Sequence, residues 1–224
     1  MRSVELFLAL DRVCEFDFEL NRHWWPDYGS FWVIVGTILT QNAKWSSVEK
    51  SLANLRYYGV KELSDIANLD IEVLSELIKP SGFYNTKAKR LSMLCNKIID
   101  KFGNFDEFAS SVSFEWLIAQ KGLGLESVYS ILCFGCGRDV MVVDSYTNRI
   151  LSALGYEFES YEEAREWLEG IDRDEVYKAI GDIGDNELFC RYHGVIVEFC
   201  KSHLKGAKFD DFALNLFNKL SDIL

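Results

Sequence analysis

The sequence predicts an all-α protein, and three observations support that fold class. Apolar residues recur at helical spacing along most of the 224 residues, without the alternating runs that build a sheet. Only two prolines, Pro26 and Pro80, interrupt the chain, which suits helices joined by short turns. Hydrophobic residues make up 49% of the composition, enough for one large or two small cores.

The helices are predicted from this spacing in chain order. The first covers residues 2–14, and a polar and aromatic connector follows it. Ser30 is a good N-cap for the next segment, 31–40, which is apolar nearly all round and is therefore expected to be buried. A short β-like run at 139–143 is too isolated to form a sheet. Further helical patterns follow at 45–58, 61–68, 70–78, 86–102, 104–109, 113–120, 125–134, 145–153, 161–169, 173–181 and 186–204.

Neither a secretion signal nor a membrane span is predicted. The N-terminal segment carries Glu5, Asp11 and Arg12 within its apolar pattern, so it lacks the uninterrupted core of a signal peptide. No apolar run approaches the roughly 18 uncharged residues of a membrane helix. We therefore expect a cytoplasmic protein without a membrane partner. A monomer is a separate expectation.

The six cysteines are scattered along the chain and are expected to be reduced. Cys133 and Cys136 form a CxxC pair, but no second pair or histidine stands at the spacing of a metal ligand. Buried packing is therefore favoured over metal binding, and no metal site is predicted.

Charge is distributed unevenly. The net charge of −11 argues against a polyanionic partner, but residues 154–188 carry twelve acids against three bases. Residues 79–105 carry six bases against Asp100 alone. A polyanion could approach the second segment and avoid the first.

Two glycines mark a turn between helical patterns at about 113–134. Gly122 and Gly124 stand two residues apart, a spacing that permits a tight turn and exposes backbone N–H groups at a helix N-terminus. Such amides bind anions, including DNA phosphates. An ordinary helical hairpin with a glycine turn explains the same pattern.

The residues after this turn carry a family resemblance. Val142-Val143-Asp144 follows Gly124 by about twenty residues, after a glycine-rich loop without proline at 135–138. Hairpin, loop and aspartate in this order resemble the endonuclease III superfamily of DNA glycosylases. Leu39-Thr40-Gln41-Asn42, the segment 80–90 and the segment 192–199 bring the chain closest to the bacterial 3-methyladenine DNA glycosylase III branch. The matches cover roughly residues 24–200, and they imply a bacterial protein associated with the nucleoid when bound to DNA.

The resemblance implies two helical lobes and a catalytic aspartate. A six-helix lobe would comprise residues 27–143 and include the hairpin at about 113–134, and residues 1–26 with 144–224 would form the second lobe. Asp144 would stabilise positive charge on the sugar of a flipped nucleotide or activate water. A plain helix N-cap is the alternative role for this aspartate, and the two roles are compatible.

The resemblance also assigns residues that contact double-stranded DNA around a damaged base. Gln41 and Phe83 would fill the gap left by the flipped base. Without the resemblance, Gln41 would be interpreted as an exposed turn residue and Phe83 as a core aromatic. Phosphate contacts are predicted for Gly122, Gly124, Lys87, Lys89 and Arg90, although a solvated helix face explains the three basic residues equally well.

Aromatic residues near the start of the chain suggest a pocket for a cationic base. Trp24, Trp25 and Trp45, with Pro26 shaping the wall, would hold an alkylated purine by cation–π attraction. The alternative role of each tryptophan is core packing.

The chain departs from bifunctional members of the superfamily at Glu126. Those members carry a nucleophilic lysine two residues after the second hairpin glycine, and a glutamate cannot form a Schiff base. Base excision without β-lyase cleavage is therefore expected. The four-cysteine cluster of endonuclease III is missing, so no iron–sulfur cofactor is predicted, while a monovalent cation under the hairpin carbonyls is left open.

Three other functions fit parts of the sequence. One is a glycosylase for oxidised or mismatched bases, which would cleave abasic strands if it has lyase activity. Another is a non-catalytic helix-hairpin-helix protein that binds DNA and releases no base. A helical protein-interaction domain would show no salt-dependent affinity for DNA.

Overall fold

The computed structural model of the chain describes residues 1–221. Within these residues, fourteen α-helices and one small antiparallel sheet form two compact units. One unit comprises Pro26–Gly137, and the other comprises Met1–Trp25 together with the chain from Arg138 onward. The all-α fold class predicted from the sequence is confirmed.

The elements follow one another with short connections. The helices are α1 (Ser3–Val13), α2 (Phe31–Thr40), α3 (Trp45–Tyr58), α4 (Leu63–Ala67), α5 (Ile71–Leu77), α6 (Tyr84–Phe102), α7 (Phe105–Ser111), α8 (Phe114–Ile118), α9 (Leu125–Ser130), α10 (Ser145–Ala153), α11 (Tyr161–Glu169), α12 (Arg173–Ile180), α13 (Asp185–His203) and α14 (Asp211–Ser221). A 3₁₀ turn covers Lys79–Ser81, and a π turn at Ile131–Gly135 extends α9. The strands β1 (Leu204–Lys205) and β2 (Lys208–Phe209) pair Leu204 with Phe209.

The Pro26–Gly137 unit is organised around α2 and α6. The Ser30 hydroxyl accepts a hydrogen bond from the Trp32 amide, as predicted for the N-cap of α2. This helix is apolar on nearly every face and packs against α3, α6, α9 and the π turn. Helix α6 covers α4 and α5 in turn. The hairpin predicted at about 113–134 is formed by α8 and α9.

The unit has the eight α-helices that the apolar spacing predicted, rather than the six that the resemblance implied, and two of them, α4 and α8, are only five residues long. Its boundaries, Pro26 and Gly137, also differ from the predicted 27 and 143. Residues 138–143 belong with the other unit because Met141 and Val143 are buried in that unit's core. The Met141 amide donates to the Glu169 carboxylate, and the Val143 amide donates to the Tyr161 hydroxyl.

The second unit has its core around α13, which packs against α1 and α10. The buried ring of Tyr192 meets Phe7 edge-on with centroids 5.2 Å apart, and its hydroxyl donates to the Ser3 carbonyl. Arg191 binds both carboxylate oxygens of Asp11, at 2.5 and 2.9 Å. These contacts tie α1 to α13, although the chain between them contains the whole other unit.

None of the helices within residues 1–221 combines the length and the hydropathy that a membrane span requires.

His193 is a buried polar group on α13. Its side chain is 3% exposed, and its Nδ1–H donates to the Val142 carbonyl at 3.2 Å. Burial lowers the pKa of His193 from its ordinary value, against the opposing effect of the Asp144 charge. The imidazole is therefore neutral in the folded protein near pH 7.

We expect the free energy of unfolding to fall as the pH is lowered from about 7 to about 5. Below the ordinary pKa of about 6.5, the unfolded state binds a proton at His193 before the folded state does, so acid favours unfolding. His193→Asn keeps an N–H donor near the Nδ1 position but does not titrate. Its stability should be lower overall, and its loss of stability on acidification should be smaller than in the wild type. Urea unfolding followed by circular dichroism measures both effects, and an unchanged dependence on pH in His193→Asn would contradict the assignment.

Candidate functional site

Asp144 caps helix α10 with its side chain. Its Oδ1 accepts hydrogen bonds from the Thr147 amide at 2.8 Å and from the Thr147 hydroxyl at 2.9 Å. Thr147 is fully buried, whereas Asp144 is half-buried. Among the described residues both hydrogen bonds go to Oδ1, so Oδ2 is left for another partner. The N-cap considered in the sequence analysis is therefore present, and it fixes the direction of the carboxylate.

The buried groups next to Asp144 are uncharged near neutral pH. The imidazole of His193 is neutral because burial lowers its pKa, as described above. Burial, with a smaller contribution from the Asp144 charge, raises the pKa of the Cys200 thiol to about 12. The negative charge of Asp144 is therefore not neutralised by either group, and the carboxylate can interact with a positive charge brought by a ligand.

Trp24 packs against α13, the helix that carries His193 and Cys200. Its Nε1–H donates to Glu198 Oε1 at 2.9 Å, and its ring meets His193 edge-on at 5.1 Å between centroids. The indole rests on Gly194, where an added Cβ would lie 2.7 Å from Trp24 Cγ. The Trp24 backbone has a positive φ of 60°, a conformation that costs energy in a non-glycine residue. The fold thus holds Trp24 beside His193, which in turn neighbours Asp144.

Trp25 and two charged residues extend this group. The Trp25 ring is perpendicular to that of Trp24, with centroids 6.0 Å apart. The Lys201 ammonium lies 2.8 Å from Glu198 and 5.6 Å from the Trp24 ring centroid. Residues 192–199 resemble a family motif, but His193, Glu198 and Lys201 had no predicted role. The helical spacing of α13 was the available signal.

An open groove of about 420 Å³ lies beside the start of α10, and Ser145, the residue after Asp144, is part of its lining. The Arg149 guanidinium closes one side of it by donating to the Gly206 carbonyl at 2.7 Å, so the β1–β2 turn is held against α10. The residues that line the groove are Ser145, Tyr146, Arg149, Cys200, Lys201, Leu204 and Gly206.

Gln41, in the other unit, is bound to the hairpin turn. Its amide nitrogen donates to the Gly122 carbonyl at 2.9 Å and to the Ser127 hydroxyl at 3.2 Å. Its amide oxygen accepts from Arg90 at 3.2 Å. The side chain is therefore held by three hydrogen bonds within the protein, and entry into a DNA gap would require some of them to break.

Phe83 stands out from the surface immediately before α6. It is 71% exposed and has a positive φ of 46°, so an apolar ring is displayed on a strained backbone. Core packing, the alternative considered for this residue, is wrong. An exposed ring in this position can be inserted between bases, and that role stays a prediction.

The three basic residues of α6 have different environments. Lys87 is 2% exposed, and its ammonium donates to two backbone carbonyls, so the predicted phosphate contact is wrong for this residue. The available signal was the helical spacing, because Lys87 stands four residues before Leu91 and seven before Leu94 on the buried face of α6. Lys89 is exposed, and Arg90 is half-buried with its Nη1 on Gln41. A phosphate contact stays a prediction for Lys89 and Arg90.

The two hairpin glycines have different backbone conformations and surroundings. Gly122 has a φ of +92°, and a Cβ there would lie 2.6 Å from Arg90 Cδ. Gly124 has an ordinary φ of −99° and caps α9 with its backbone, while the space around its Cα is open. The positive φ and the close contact with Arg90 therefore explain why residue 122 is a glycine. At Gly124 the surrounding space is open, so a phosphate can approach the backbone.

The four predicted pocket residues are divided between the units. Trp24 and Trp25 belong to the unit that contains Asp144, and Pro26 and Trp45 belong to the other. Pro26 is exposed, and Trp45 is half-buried at the first position of α3.

No group of three or more His, Cys, Asp or Glu side chains within residues 1–221 is arranged to hold a metal ion. The Gly122 carbonyl accepts a hydrogen bond from Gln41, and a monovalent cation at the hairpin stays an open expectation.

The chain matches the model of a known protein family. Residues 35–173 match the model described as the HhH-GPD superfamily base excision DNA repair protein. A DNA repair glycosylase predicted in Methanocaldococcus jannaschii is 38% identical over 194 residues, which cover 83% of each chain.

Solved structures agree with this match. The crystal structure of H. pylori 3-methyladenine DNA glycosylase (MagIII) bound to 1,N6-ethenoadenine superposes with a TM-score of 0.83 at 39% identity, covering 92% of this chain and 100% of that one. An endonuclease III–DNA covalent intermediate shares the fold, with a TM-score of 0.67 at 18% identity over 94% of this chain and 91% of that one. The chain therefore belongs to the HhH-GPD superfamily of base excision DNA repair proteins, the DNA glycosylases that its hairpin and aspartate predicted.

Proposed function

We propose that this protein is a monofunctional DNA glycosylase that hydrolyses the N-glycosidic bond of a flipped alkylated purine, with 3-methyladenine as the representative substrate. The observation that carries the proposal is the capped carboxylate of Asp144, next to a neutral His193 that also contacts Trp24. This arrangement combines a fixed negative charge with an aromatic surface, as the excision of a cationic base requires.

Asp144 acts on the sugar. As the glycosidic bond breaks, positive charge develops on the deoxyribose, and a carboxylate already fixed in position stabilises it without further reorganisation. Oδ1 remains on Thr147 while Oδ2 faces the sugar or the attacking water. Alkylation at N3 makes the base a better leaving group, so little protonation of the base is needed.

Trp24 supplies an aromatic surface for the base. A cationic purine gains cation–π energy on an indole face, about 2 kcal/mol or more when water is excluded. The hydrogen bond to Glu198 and the close contact with Gly194 fix the orientation of this indole. Trp25, in the same unit, is proposed to extend this surface, and the roles of Pro26 and Trp45 stay predictions. The similar H. pylori protein, to which this chain is 39% identical, is a 3-methyladenine DNA glycosylase, and this supports the assignment.

Surface features of the Pro26–Gly137 unit provide the DNA contacts. Double-stranded DNA with a damaged base is the proposed partner. Gly124 offers its backbone to a phosphate, Lys89 adds an exposed positive charge, and Phe83 with Gln41 fills the gap after flipping. Glu126 stands where a lyase would carry its lysine, so the product is an intact abasic strand.

The reaction products distinguish a monofunctional glycosylase from a lyase. The wild-type protein should release free 3-methyladenine from methylated duplex DNA and leave abasic strands uncut, because Glu126 cannot form a Schiff base. Chromatography of the released bases and a denaturing gel measure the two products. Undamaged DNA of the same sequence serves as the control. Release of oxidised or mismatched bases instead, strand cleavage trapped by borohydride, or duplex binding without any release would each contradict the proposal.

Substitutions of the two hairpin glycines should affect DNA affinity and folding stability differently. Gly124→Ala should fold with an unchanged melting temperature but bind an abasic-analogue duplex about tenfold more weakly, since the new methyl group obstructs one charge-assisted hydrogen bond. Gly122→Ala is the matched control and should lower the melting temperature, because its Cβ meets Arg90 and its φ is positive. Fluorescence anisotropy measures the affinity. Wild-type affinity in Gly124→Ala would argue against a phosphate at this turn.

A further inference from the structure

Lys87 carries a buried charge that the proposed chemistry does not use. Its Nζ donates to the Leu39 carbonyl and to the Ser81 carbonyl, both at 2.7 Å. Burial lowers its pKa to about 8, which shows the energetic cost of keeping the ammonium in the interior. Such a group is retained only where its hydrogen bonds compensate for the loss of water.

The two carbonyls belong to two different turns. The Leu39 carbonyl is in the last turn of α2, where carbonyl groups lack partners within the helix and the helix dipole favours a cation. The Ser81 carbonyl ends the 3₁₀ turn at Lys79–Ser81. One ammonium group therefore holds the end of α2 against the chain that leads into α6.

Each carbonyl stands two residues before a side chain proposed to enter the DNA. Gln41 follows Leu39 by two positions, and Phe83 follows Ser81 by two positions. Arg90, one turn further along α6, contacts the amide oxygen of Gln41 and packs against Gly122. Helix α6 thus supports both turns from one side.

We propose that Lys87 is a positioning residue whose ammonium group fixes the Gln41 turn and the Phe83 turn relative to each other, so that both side chains fill the gap in one step. The inference rests on the proposed function and goes beyond it, because it assigns the spacing of the two inserted residues to a residue that never touches DNA. A buried lysine with only a structural role would support all substrates equally. A positioning lysine matters where a base pair must be opened.

The test compares paired with unpaired lesions. Lys87→Met preserves most of the side-chain length but removes the donors, and Lys50→Met, at an exposed position of α3, is the matched control. Single-turnover base release is measured on a fully paired duplex and on the same damaged strand without its complement. For Lys87→Met, release from the duplex should fall by about tenfold or more, and release from the single strand should stay within about twofold of the wild type. Lys50→Met should stay within about threefold of the wild type on both substrates.

Equal losses on both substrates, or no loss on either, would overturn the proposal. Lys87→Gln, which keeps an amide donor on a shorter chain, is used for the same comparison if thermal unfolding shows that Lys87→Met does not fold.

A second readout is independent of catalysis: 2-aminopurine placed beside an abasic analogue reports unstacking when the protein binds. Wild-type unstacking by a folded Lys87 variant would also overturn the proposal. Absence of base release by the wild type on every substrate would instead count against the proposed function, and the unstacking measurement would still decide the role of Lys87.

Discussion

The two hydrogen bonds from Thr147 to Asp144 are the constraint on which the proposed active site depends. An N-cap contributes only about 1 kcal/mol to stability, but it determines where the carboxylate points. Thr147 is itself buried on α10, and α10 packs against α13, the helix that carries His193 and supports Trp24. The position of one acidic side chain therefore follows from the packing of two helices. Because the cap uses only Oδ1, capping and catalysis do not compete for the same oxygen.

Charge in this protein supports internal structure as much as DNA contact. The basic segment 79–105 suggested a surface for a polyanion, yet Lys87 and Arg90 bind protein oxygens, and Lys97 donates to the Gln120 side chain. Lys101 lies over the rings of Phe102 and Trp116. Most of these cations already have partners within the protein, so they do not form a dense positive patch for DNA. The proposed DNA contacts therefore rely on the backbone amide of Gly124 and the exposed ring of Phe83.

Local patterns in the sequence predicted much of this structure. The apolar period predicted the helices from α1 to α13 but missed α14. The glycine spacing predicted the α8–α9 turn, and the hairpin, the glycine-rich loop and Asp144 together identified the superfamily. These signals depend on residues close together in the chain. The helical spacing placed Lys87 on the apolar face of α6, but its carbonyl partners were not predictable, because one of them, Leu39, lies 48 positions earlier in the chain. The hydrogen bonds of Gln41 to the hairpin join residues some eighty positions apart. The β1–β2 hairpin was missed because each strand has only two residues, too few for an alternating pattern.

Single-turnover base release by Asp144→Asn tests the central proposal most directly. Asparagine caps a helix as well as aspartate does, so the variant keeps an acceptor for Thr147 and loses only the negative charge. Asp139→Asn, which changes an exposed aspartate just before it in the chain, is the matched control. The account predicts that Asp144→Asn excises 3-methyladenine about a hundredfold or more slowly, with unchanged thermal stability and affinity for an abasic-analogue duplex. Excision by Asp144→Asn within about twofold of the wild-type rate would contradict it.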